Sequence, residues 1–114
     1  MAIEIKTQEY VLKIVSLAPQ GRLDAFEAPA LRKLCDGYLE EGVTHFVFDL
    51  SGVTMLDSAG LAVLVSVLKR TRLKDGEVRL VWPKEEAASR ILKLTKFDQV
   101  FMSIETSQII PKGF

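Results

Sequence analysis

One serine stands where chemistry is most readily placed. Ser58 lies in Asp49-Leu50-Ser51-Gly52-Val53-Thr54-Met55-Leu56-Asp57-Ser58-Ala59-Gly60-Leu61, at the point where an apolar strand gives way to a helix. A hydroxyl there is held beside the first unpaired N–H groups of the helix and the positive end of its dipole, where an added anion is tolerated. Ser58 is therefore a candidate phosphorylation switch. Serine at this place is also a good N-cap, worth about 1 kcal/mol to a helix, and the two roles are compatible. From Ser51 to Leu68 there is no Lys or Arg. The first cation along the helix, Lys69, is about 16 Å away at about 1.5 Å per residue, so a phosphate on Ser58 would stay largely uncompensated within its own helix.

Other chemistries lack their parts. A serine hydrolase needs a general base, and the one histidine, His45, opens an apolar strand ahead of the motif. The segment before Ser58 is also not the Gly-x-Ser-x-Gly of a nucleophile elbow. One Cys and one His do not make a metal site, and no phosphate-cradling glycine motif occurs, so neither metal nor cofactor is expected. Asp49 at a strand end could suggest a phosphoaspartate receiver, but the acidic pair and the placed lysine that such a site needs are hard to find. The chain is read as a binding protein and not an enzyme.

The elements that must position Ser58 follow from pattern. Ile3 and Ile5 alternate with Glu4 and Lys6, and Tyr10 to Leu17 is rich in β-branched and aromatic residues, which predicts two strands. Pro29 sits at a first helical turn, and Leu31, Leu34, Cys35, Tyr38 and Leu39 recur at spacings of three and four up to Gly42. The run from His45 to Leu50 reads as a central strand covered on both faces. Ala59 to Lys74 carries Leu61, Leu64, Val65, Leu68 and Leu73 on one stripe, with its cations at the carbonyl end as the helix dipole favours. Val78 to Trp82 is a further strand. A third helix holds Ala87, Ala88, Ile91, Leu92 and Thr95 on one side, and Phe97, Val100 and Phe101 close the core. The tail from Ser103 to Phe114 carries no clear pattern.

This order predicts an α/β single domain over residues 1–114, with a mixed central sheet of four to five strands and helices packed on it. The 114 residues suffice for one core and not for two. Fifteen basic residues against 15 acidic ones leave no field to attract nucleic acid. The longest near-apolar run, Leu61 to Leu68, is far shorter than the roughly 20 residues of a spanning helix. A lone cysteine and the absence of a charged-then-apolar leader point to the cytoplasm.

The segment from Asp49 to Gly60 closely resembles the signature of STAS domains, in particular the bacterial anti-sigma factor antagonists. Gly21-Arg22-Leu23-Asp24, followed by Ala28-Pro29-Ala30-Leu31-Arg32, is similar to the family's segment before its first helix, and Phe97-Asp98-Gln99-Val100-Phe101 to its closing segment. The resemblance implies an antagonist that binds an anti-sigma factor serine kinase while unphosphorylated, so freeing a sigma factor. It implies that phosphorylation of Ser58 ends this binding and that a PP2C-type phosphatase restores it. On the same ground Asp24, Thr54, Asp57 and Gly60 join Ser58 on the partner-facing surface. By their types alone, Asp24 is also a turn carboxylate, Thr54 and Ser51 are loop-stabilising hydroxyls, and Gly60 permits close helix packing. Ala59 stands where the family often carries a second hydroxyl. The alternative is a STAS accessory subunit of a membrane transport complex, docking through the same helix without phosphate.

Overall fold

Leu31, Cys35 and Leu39 are all buried with Ala28, which makes one side of helix α1, Ala28–Glu40, a core face. Pro29 lies in its first turn, where a missing N–H costs nothing, and Gly42 ends it at φ +92°. The computed structural model describes residues 3–7 and 13–104. Strands β1, Ile14–Leu17, and β2, Gly21–Leu23, precede α1. Beyond it lie β3, His45–Asp49; β4, Val53–Leu56; α2, Ser58–Arg72; β5, Glu77–Val81; α3, Glu86–Leu94; one 3₁₀ turn, Phe97–Gln99; and β6, Met102–Ile104.

The central sheet runs β1-β3-β5-β6, and β3 takes the central place its apolar run predicts. Phe46, Val47 and Phe48 are fully buried although successive side chains leave a strand on opposite faces, so both faces of the sheet are covered. Phe46 and Phe48 share a face and stack with centroids 6.2 Å apart. Every ladder among the described residues is parallel. The sequence also predicts a strand over Ile3 to Lys6. Ile3 and Ile5 are instead exposed and outside any strand, and residues 8–12 lie outside the described residues.

Three strands go beyond expectation, the first being Gly21–Leu23, which the sequence pattern does not mark as a strand. Val53–Leu56, read as part of a loop, is β4, which pairs in parallel with β2 through Arg22↔Met55 and Leu23↔Leu56. Met102–Ile104, at the start of the unpatterned tail, is β6, held in register on Arg79 to Val81 of β5. Some stripe residues also differ. Leu73 is exposed because α2 ends at Arg72, and Val100 and Leu34 are substantially exposed too. In α3 the buried residues are Ala88, Ser89 and Leu92, while Ala87 and Thr95 face outward. Ser89 is accommodated inside because its Oγ accepts a hydrogen bond of 2.8 Å from the Trp82 indole N–H.

Cys35 is 1 % exposed, and burial, reinforced by the nearby Asp36 carboxylate, pushes its thiol up to about 11. Both effects keep it a thiol near neutral pH, and only a thiolate attacks an electrophile. A thiol reagent at pH 8 is expected to modify Cys35 at the slow rate of unfolding in native protein and at once in denaturant. Rapid modification of the native chain would contradict this burial.

Candidate functional site

The site is built where the β2–β4 pair delivers two chain segments side by side. Leu23 and Leu56, buried and opposite each other in the register, put Asp24 and Asp57 at the adjoining strand ends. The Asp57 N–H approaches the Leu23 carbonyl at 3.4 Å, and the Ala25 N–H donates to Asp57 Oδ2 at 3.2 Å. The loop ahead of α1 and the first turn of α2 are thereby tied together.

Asp57, not Ser58, caps α2. Its backbone is extended, and its Oδ1 accepts from the N–H groups of Ala59 at 2.9 Å and Gly60 at 3.1 Å. Two of the helix's orphan donors are thus already filled by a carboxylate, which corrects the expectation that they lie open to an anion. Replacing Asp57 by Ala removes the cap and the tie to Ala25, at an expected cost of about 1–2 kcal/mol in urea unfolding, whereas Asp57→Asn, itself a good cap, costs less. Equal stability of Asp57→Ala and wild type would refute this dual role.

Relieved of capping, Ser58 is the first helical residue and is exposed. Among the described residues its hydroxyl has no hydrogen-bond partner and no cation pairs beside it. Along the chain the nearest ion-paired cation is Arg70, held by Asp36, and on the neighbouring strand end Arg22 Nε meets Asp24 Oδ2 at 3.5 Å. From Ser58 a shallow groove runs down α2 past Leu61, Ala62 and Val65 to Lys69 and Arg70, with Phe97 on its far wall.

Asp24 acts as the turn carboxylate its type suggests, with Oδ1 accepting from the N–H groups of Phe26 at 3.0 Å and Glu27 at 3.2 Å. Ser51 stabilises its loop, donating from N–H and Oγ to Asp49 Oδ1 at 3.0 and 2.6 Å. Thr54 differs: it is exposed on β4 and its hydroxyl makes no hydrogen bond to described residues. Gly60 is buried against β2. A Cβ there would lie 2.5 Å from the Leu23 carbonyl oxygen and 2.9 Å from Leu23 Cγ, so only glycine lets α2 approach so closely.

Two exposed apolar side chains lie beside these residues and were not singled out in the sequence. Phe26, 91 % exposed, follows the Ala25 that is bonded to Asp57, and Met55 stands on β4 between Thr54 and Leu56. Only the position of Phe26 in a turn, after a carboxylate that binds its own backbone, could have marked it. His45 lies at the opposite end of β3 from Asp49, about 13 Å along a strand that rises about 3.3 Å per residue, and it bonds Thr44 Oγ1 at 2.8 Å. Burial holds its pKa below the usual histidine value. It is not placed to serve Ser58 as a base. No helix among the described residues is long and apolar enough to cross a membrane.

The profile of the family described as "STAS domain" matches residues 2–109. A Thermotoga maritima protein provisionally named an anti-sigma factor antagonist is 32 % identical over 94 residues, 82 % of each chain. The crystal structure of that protein superposes with a TM-score of 0.75 at 31 % identity, covering 82 % of this chain and 81 % of the other. The anti-sigma-B factor antagonist of Listeria monocytogenes is 31 % identical over 81 residues, 70 % of each chain. SpoIIAA, an anti-sigma factor antagonist solved in its unphosphorylated form, shares the fold with a TM-score of 0.67 at 16 % identity, over 89 % of this chain and 87 % of that one. With the β2–β4 platform, the capped α2 and these likenesses together, the chain belongs to the STAS domain family, in company with the bacterial anti-sigma factor antagonists.

Proposed function

We propose that the protein is an anti-sigma factor antagonist that binds an anti-sigma factor serine kinase through the surface around Ser58 and is released when Ser58 is phosphorylated. The observation that carries this reading is the exposed, unbonded hydroxyl of Ser58 at the first position of a helix already capped by Asp57. Among the described residues the oxygen has no structural duty, and a kinase can reach it. Phe26 and Met55 supply apolar anchors beside it, of the large exposed kind that dominates protein interfaces when buried by a partner. Thr54, Asp24 and Asp57 complete the proposed contact surface, the two carboxylates chiefly by holding its backbone, and Gly60 by seating the helix.

Phosphate changes this surface by charge alone. It adds about 1.5 to 2 negative charges close to the Asp57 carboxylate, which already fills two helix N–H groups. A partner packed over the hydroxyl would then bury an unpaired anion, a cost of several kcal/mol. A PP2C-type phosphatase in the cytoplasm would reverse the step. Incubation with candidate anti-sigma factor serine kinases and ATP, followed by peptide mass spectrometry, is expected to place one phosphate on the Ser58 peptide and none on Ser58→Ala. Phosphate on another residue with Ser58 untouched overturns the proposal.

A further inference from the structure

α1 has a second face that the described residues leave uncovered. Its core residues Ala28, Leu31, Cys35 and Leu39 occupy one side, and on the outer side Ala30, Lys33, Leu34, Gly37, Tyr38 and Glu41 line a shallow groove. Leu34 is 49 % exposed there although it falls on the apolar stripe of the helix. Gly37 is the more telling residue. Glycine inside a helix is less stable than alanine, and a Cβ at Gly37 would meet nothing within 4 Å, so nothing among the described residues requires it.

We propose that this face is a self-association surface, on which α1 of a second copy packs antiparallel across Gly37, with Lys33 of each copy meeting Glu41 of the other. The charges select a second copy as the occupant. Lys33 and Glu41 are each four residues from Gly37, about 6 Å along the axis, so a two-fold axis through Gly37 brings opposite charges together on both sides. The bare backbone of Gly37 lets the helices approach, and Leu34 of each copy then lies between Tyr38 and Glu41 of the other. Lys33 has no ion-pair partner among the described residues. Glu41 meets Lys13 at 3.4 Å, but both are more than half exposed, and such a pair leaves the carboxylate open to a second cation. One helix face is small against a stable interface, so the dimer is weak, with a Kd between about 10 μM and 1 mM.

Sedimentation of the full chain from about 10 μM to about 1 mM is expected to show a reversible dimer. Lys33→Glu is expected to raise Kd about tenfold or more, and Lys33→Glu combined with Glu41→Lys to return it towards wild type. Gly37→Gln separates the copies from the fold: it abolishes the dimer yet raises the thermal midpoint of the monomer. A chain that stays monomeric up to about 1 mM, with or without some other protein held on this face, overturns the proposal. So does a dimer indifferent to Gly37→Gln and to the charge reversal.

Discussion

Ser58→Asp is expected to lower affinity for the anti-sigma factor kinase by about 100-fold or more while leaving the fold intact, and Ser58→Ala to bind like wild type. A single unpaired carboxylate taken into an interface costs several kcal/mol, and each 1.4 kcal/mol is tenfold in affinity. Inside the free domain the same charge meets two small opposing effects. The dipole at the start of α2 favours it by about 0.3–1 kcal/mol, and the neighbouring Asp57 carboxylate opposes it. The thermal midpoint should therefore move by only a few degrees. Titration calorimetry alongside a melting curve checks both halves. Equal affinity for the three proteins would remove Ser58 from the interface, and a collapsed melt would make the loss of binding one of folding.

Gly60→Ala is expected to destabilise the domain by about 1–2 kcal/mol, although alanine is the better helix former. The added methyl would sit 2.5 Å from the Leu23 carbonyl oxygen, 2.9 Å from Leu23 Cγ and 3.1 Å from Leu56 Cδ1. A backbone oxygen cannot turn aside as a side chain can, so α2 must lift from the β2–β4 pair. Overpacking of this kind costs about 1–3 kcal/mol, and the propensity gain returns up to about 1. Because Ser58 stands on that first turn, the displacement should also weaken partner binding. Gly37→Ala is the control: the same exchange in α1, where nothing lies within 4 Å, should stabilise by about 0.5–1 kcal/mol. Urea unfolding of both variants reads opposite signs, and a shared sign would mean that helix propensity, not the close approach to Leu23, governs Gly60.

Long periodic elements were the legible part of the fold. α1, β3, α2 and β5 each bury a face whose spacing shows in the sequence, and the cations of α2 fall in its last turn. Short elements were not legible. Val53–Leu56 has only its two end residues buried, and what makes it a strand is β2, some 30 residues earlier in the chain. β6 likewise exists through its pairing with β5. The alternation of Ile3 to Lys6 misled for the converse reason: a strand needs a neighbour, and both isoleucines face solvent.

The position of Ser58 was legible, but its local role was not. Asp57 and Ser58 are both good caps, and the choice fell to Asp57 because its second oxygen also reaches Ala25 across the β2–β4 pair. That contact joins residues 32 apart in the chain, which spacing cannot reveal. Leu34 shows the same limit from the other side. Its spacing places it on the apolar stripe, yet the sheet and α2 cover a narrower arc of α1 than that stripe provides.

The proposed switch rests on the chemical state of one hydroxyl. Protein phosphorylated at Ser58 to completion should be titrated into the anti-sigma factor kinase beside the same batch after PP2C-type phosphatase treatment. A loss of affinity of about 1,000-fold on phosphorylation, fully recovered on dephosphorylation, is the predicted result. Equal affinity of the two forms would contradict it.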